Sequence, residues 1–142
     1  MDDSPFGSYL FIFNKNLHKY LNKKVLKYDL NYIQTLFLIN INNFPNVTQK
    51  ELADIFFLTK GYVAKSIKDL ENKNFIIRTK SSHDKRQNNM ELTKKSQELI
   101  PEFKKISLEW EEKMGLEKID DDFFKTFKKL TKKSIELNKD EK

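Results

Sequence analysis

The chain has 142 residues, 34% charged and 38% hydrophobic, with a net charge of +6. That favours one domain with a real core and the composition of a soluble globular protein. There is no cysteine, which excludes disulfides, thiolate-held zinc, a thiol nucleophile and a thiol redox switch. The two histidines, His18 and His83, lie far apart and match no ligand spacing, so neither a metal nor a cofactor is expected.

Three Gly and three Pro argue for long helices with few tight turns. The apolar run Tyr9–Phe13 is broken too soon by Asn14 and Lys15 to be a signal peptide or a membrane span, so a cytoplasmic protein is expected. From Phe6 to Leu21, Phe6, Leu10, Phe13, Leu17 and Tyr20/Leu21 recur in steps of three and four, which predicts a first helix. A link through Tyr28 and Asp29 leads to NYIQTLFLININN. This segment is apolar nearly all round, so it predicts a buried second helix, ended by Pro45. Thr48 and Glu51 in TQKEL form a capping box, opening a short third helix that reaches Phe56. A fourth helix is predicted from near Thr59 to about Lys73, with Val63, Ile67 and Leu70 inward and Lys60, Lys65 and Lys68 outward.

NFIIRTK and NMELT are short strand candidates around a polar loop, and Asn74 stands where a left-handed residue is needed. Thr93 is a predicted N-cap for a fifth helix with Leu99, Phe103, Ile106, Trp110 and Met114 on one stripe. Pro101 should kink or divide that helix, and Gly115 reads as the residue beyond its end. Asp120–Asp122 can cap a sixth helix whose apolar face is Phe123, Phe124, Phe127, Leu130 and Ile135. The fold class is therefore mainly α with a small β-hairpin. Two short helices joined by Phe57-Leu58 and followed by a hairpin make a winged helix-turn-helix.

The charge is concentrated. Between Asn46 and Lys95 there are eleven Lys or Arg against six acids, a net of +5, which leaves +1 for the remainder. A helix-turn-helix presents the N-terminal end of its second helix to the major groove. Thr59, Lys60, Gly61, Tyr62 and Lys65 fit that role, with Lys68 further along, and Gln49 at the start of the third helix suits phosphate. Periodicity alone gives equal weight to a merely solvated lysine face. Both arginines of the chain, Arg78 and Arg86, lie on the hairpin segment and are expected among the DNA contacts. Arginine is favoured over lysine in a narrow minor groove, and Arg86 beside Lys85 at the hairpin tip could reach one. Asp84 then either pairs with an arginine or caps the turn.

The stretch VTQKELADIFFLTKGYVAKSIKDLENKNFIIRTKSSHDKRQNNMELTKKSQEL resembles the DNA-binding core of MarR-type transcriptional regulators. TQKELA, TKGYV, DLENKNFIIR, the wing DKR and the closing LT carry the likeness over Val47–Leu99. The resemblance implies a homodimer on double-stranded DNA, with no membrane. Residues 1–26 and 93–139 would supply the dimerisation helices, and 30–92 the DNA-binding lobe, of a single domain. It matches Arg86 to the arginine that enters the minor groove and Asp84 to the aspartate that braces the tip. It also implies a repressor released by a small, often aromatic or phenolic, effector held among Leu17, Tyr32, Leu36 and Phe103.

There are departures from the family pattern. Asn74 replaces a usual Gly, and Tyr62 is bulkier than the residue often found there. Phe57 replaces a frequent turn Gly and should need another turn geometry or a buried ring. The absence of cysteine sets aside the family's thiol sensors, and two histidines argue against its zinc sensors. An enzyme ranks last, since no nucleophile–base pair, Gly-rich phosphate loop or metal set is visible. The alternative is a protein–protein adaptor on the same fold, which would not need the basic window.

Overall fold

A computed structural model of the chain describes residues 5–80 and 88–139. Six helices and one hairpin follow in the order α1 (Phe6–Val25), α2 (Tyr32–Asn43), α3 (Gln49–Phe56), α4 (Lys60–Asn72), β1 (Ile76–Lys80), β2 (Asn88–Leu92), α5 (Lys94–Met114) and α6 (Asp121–Leu137). Single 3-10 turns at Leu26–Tyr28 and Leu116–Lys118 follow α1 and α5. The chain divides into two compact units, Met1–Ser107 and Leu108–Lys142.

Local chemistry starts most of these helices. The Thr48 hydroxyl accepts from the Glu51 amide at 3.1 Å, and the Glu51 carboxylate accepts from the Thr48 amide at 3.3 Å. This is the reciprocal pairing that the sequence predicts. Asn31 and Gln34 form a second capping box, at the head of α2. Thr59 caps α4 through the Tyr62 amide, Thr93 caps α5 through the Ser96 amide, and Asp120 caps α6 through the Phe123 amide.

In the first unit, α2 sits at the centre of the core. Phe37, Leu38 and Ile41 are buried with Leu52 of α3, Val63, Ile67 and Leu70 of α4, and Ile76 and Met90 of the strands. The strands pair antiparallel, with Ile76 opposite Leu92 and Arg78 opposite Met90. The α5 stripe differs from expectation. Its buried residues are Ser96, Ile100, Phe103 and Ile106, while Leu99 and Trp110 are half-buried and Met114 is exposed. The inward face runs back toward the hairpin because Ser96 is fully buried there and its hydroxyl donates to the Phe75 carbonyl. Pro101 does not divide α5. Pro101 and Gln97 are both exposed, so water can take up the carbonyl that the missing amide leaves unpaired.

Asp29, Phe57, Asn74 and Gly115 have left-handed backbone. Asn74 and Gly115 are where that need was read. Phe57 departs from both alternatives foreseen for it: it keeps the glycine-like turn, at φ 55° and ψ 44°, and its ring is 70% exposed. The Phe57 and Leu58 amides both donate to the Ala53 carbonyl, which holds the turn. An L-residue in this region costs roughly 1–2 kcal/mol.

A polar network ties α2 to α4. The buried Gln34 amide donates to Asp69 at 2.8 Å, and Lys73 pairs with the same carboxylate oxygen at 2.8 Å. Lys73 also donates to the Asp29 carbonyl at 2.6 Å. Hydrogen bonds from Lys73 and then Gln34 hold the Asp69 carboxyl below its ordinary value, and Asp69 in turn raises Lys73. A depressed carboxylate stabilises the fold above its ordinary pKa of 3.8 and loses that contribution as pH falls through the folded value. A raised lysine contributes below 10.5 and loses it as pH rises through the folded value. Asp69→Ala leaves the Gln34 amide without its partner. Urea unfolding at neutral pH should show a loss of ~1–3 kcal/mol. The gap between variant and parent should narrow as the acid limb is reached.

In the second unit, α6 has no buried residue. Phe123, Phe124, Phe127, Leu130 and Leu137 are all exposed, and the Phe123 and Phe127 rings stack 6.2 Å apart.

Candidate nucleic-acid interface

The helix-turn-helix is built by α3 and α4. Val63, Ile67 and Leu70 are fully buried, which fixes the rotation of α4 about its axis. Lys60, Gly61, Tyr62, Lys65 and Lys68 consequently lie on its exposed side, and Gln49 is half-buried at the first position of α3. Gly61, Lys65 and Lys68 follow one another at i, i+4 and i+7, so they share a stripe. Thr59 is exposed, but its hydroxyl is taken up by the Tyr62 amide. A Cβ built on Gly61 would meet nothing within 4 Å. Packing within the chain therefore does not require a glycine that costs about 1 kcal/mol against Ala in a helix. Close approach by something outside the chain would require it.

Behind this surface the hairpin is pinned to the end of α4. Arg78 on β1 reaches back to Glu71 with two nitrogens, Nε to Oε2 at 3.3 Å and Nη2 to Oε1 at 3.1 Å. The Arg78 side chain is only 20% exposed. Its hydrogen bonds hold the Glu71 carboxyl below the ordinary value. A planar fork suits this bidentate grip in a way that lysine cannot. The structure thus gives Arg78 an intramolecular role that the sequence reading, which counted it among the DNA contacts, had missed. The Thr93 hydroxyl donates to the Asn74 carbonyl at 2.8 Å. Lys95 donates to the Lys73 carbonyl at 2.9 Å and lies 4.0 Å from the centre of the Phe75 ring. Thr93 was legible as a cap, but its second bond across the hairpin base had no local signal.

Asp84, Lys85 and Arg86 lie outside the described residues. Of the four residues expected around an effector, Leu17, Tyr32 and Leu36 are half-buried and Phe103 is buried. Tyr32 meets His18 edge-on at 5.3 Å and Phe103 meets Tyr28 at 5.8 Å. None of the four lines the cavity of about 340 Å³ that opens between the end of α2, β2 and the start of α5, bounded by Asn42, Asn89, Met90 and Gln97 among others. Among the described residues no cluster of three acidic or histidine side chains is placed to hold a metal.

The family model that matches this chain, described as MarR family, covers residues 28–87, from the end of the first 3-10 turn to the residue before β2. Residues 28–87 are thus similar to the MarR family. A curated relative, the HTH-type transcriptional regulator BilQ of Clostridium symbiosum, is 27% identical over 112 residues, 79% of this chain and 78% of that protein. A MarR transcriptional regulator from Methanosarcina mazei superposes with a TM-score of 0.81 at 24% identity, covering 92% of this chain and 96% of the other. Staphylococcus aureus MepR, solved as a DNA complex, gives a TM-score of 0.84 at 19% identity over 95% of this chain and 99% of the other. The chain shares the winged helix-turn-helix fold of these solved structures. No helix among the described residues is long and apolar enough to cross a membrane.

Proposed function

We propose that the chain is a cytoplasmic, sequence-specific repressor that binds a pseudo-palindromic operator as a homodimer. The observation that carries this reading is the exposed N-terminal half of α4, where Lys60, Gly61, Tyr62 and Lys65 stand clear of a fully buried inner face. Lys68 and the amide end of α3 at Gln49 flank it and suit phosphates, while Arg86 is the residue proposed for the minor groove, with Lys85 beside it and Asp84 as its brace. Arg78 supports the wing from behind through Glu71. MepR, which shares the fold, is a DNA-bound precedent.

The second copy is supported by apolar surface. Phe123, Phe127 and Leu130 on α6 are exposed, and so are Phe6, Leu10 and Phe13 on α1. Residues 1–26 and 93–139 are accordingly read as dimerisation helices and 30–92 as the DNA-binding lobe. A two-fold pair would place two copies of α4 on half-sites about one helical turn apart. Release by a small aromatic or phenolic ligand near Leu17, Tyr32, Leu36 and Phe103 completes the proposal.

Selection of bound fragments from a random duplex pool tests it. The expected product is an inverted repeat with half-site centres roughly 10 bp apart. A pool that yields no motif would instead favour a winged-helix adaptor with a protein partner.

A further inference from the structure

We infer that Phe57 is a specificity-determining residue whose ring seats on thymine methyl groups at the edge of the major groove. The inference rests on the reading of α4 as the recognition helix. Phe57 holds a left-handed backbone at φ 55° that glycine would adopt without strain. Its ring is 70% exposed, and no other ring stacks on it among the described residues. Hydrogen bonds to the Ala53 carbonyl hold the turn but would hold a glycine equally well, so they do not account for a phenylalanine there. Strain of this kind persists where function uses it.

The position says what could use it. Phe57 stands two residues before the Thr59 cap, at the end of α4 that presents Lys60 and Tyr62. A body approaching these lysines is a polyanion. The apolar group that a DNA duplex offers in its major groove is the thymine methyl, which aromatic and aliphatic side chains read by contact. Ile55, near the end of α3, is exposed as well.

The test compares the 142-residue chain with Phe57→Gly and Phe57→Asn, since Asn already adopts this backbone at Asn74. Each is melted, then titrated at fixed salt with the duplex that the parent selects and with the same duplex carrying uracil for thymine. Both variants should melt no lower than the parent and bind the thymine duplex about tenfold more weakly. Both should also lose the parent's preference for thymine over uracil. Parent-like affinity and preference in the variants would overturn the inference and point the ring at a protein partner. Lower melting in both would overturn it too, by making the ring structural. A parent that selects no duplex would overturn the underlying repressor reading, a result distinct from either.

Discussion

Phe127→Glu will sediment as a monomer at concentrations where the parent sediments as a dimer. The α6 face that carries Phe123, Phe127 and Leu130 is exposed along its length, although the helix itself is well capped by Asp120. A seventeen-residue helix with a free apolar stripe is only marginally stable in water unless something covers the stripe. In an isologous interface each substitution counts twice. Placing a carboxylate there removes ring burial on both copies and desolvates two charges near one axis, several kcal/mol each in the buried limit. The dimer should weaken at least about a hundredfold, close to 3 kcal/mol. Far-UV circular dichroism should fall by no more than the share of α6, which loses its cover, while the helices of the first unit stay folded. Operator affinity should fall with the loss of the second half-site. A variant that stays dimeric would move the interface away from α6.

Arg86→Ala should weaken operator binding by ~1–3 kcal/mol at fixed salt, with discrimination lost at the flanking minor-groove positions. Lys68→Ala makes the contrast. As a phosphate-facing lysine it should lower affinity uniformly across sequences and reduce the salt slope by about one. Anisotropy titrations of both variants on matched and shuffled duplexes separate the two behaviours. Unchanged affinity for Arg86→Ala would remove the hairpin tip from the interface.

What the sequence made legible was local. The capping box at Thr48 and Glu51, the left-handed Asn74, the inward triplet Val63, Ile67 and Leu70, and the Asp120 cap each depend on residues within one or two turns. Short-range geometry fixes them whatever the rest of the chain does. The misses were of two kinds. Gln34 and Asp69 are 35 positions apart, and Arg78 meets Glu71 only after a helix end and a left-handed turn. No periodicity encodes such pairs. Phe57 failed in the other direction, because the turn geometry of the fold prevailed over the side chain's preference and left the ring in solvent. The α5 stripe was displaced because the hairpin base, and not helical periodicity alone, decides which residues of its first two turns are covered. Of the candidate site, the α4 face was readable from spacing, whereas the inward role of the hairpin base, where Arg78 grips Glu71, needed tertiary structure.

The most direct test of the central claim is binding of the purified protein to its own upstream DNA and to a scrambled duplex, followed by anisotropy across a salt series. The account predicts one dimer per upstream site, with affinity at least ~10³ above the scrambled control and a steep fall as salt rises. Equal and weak binding to both duplexes at every salt concentration would contradict it.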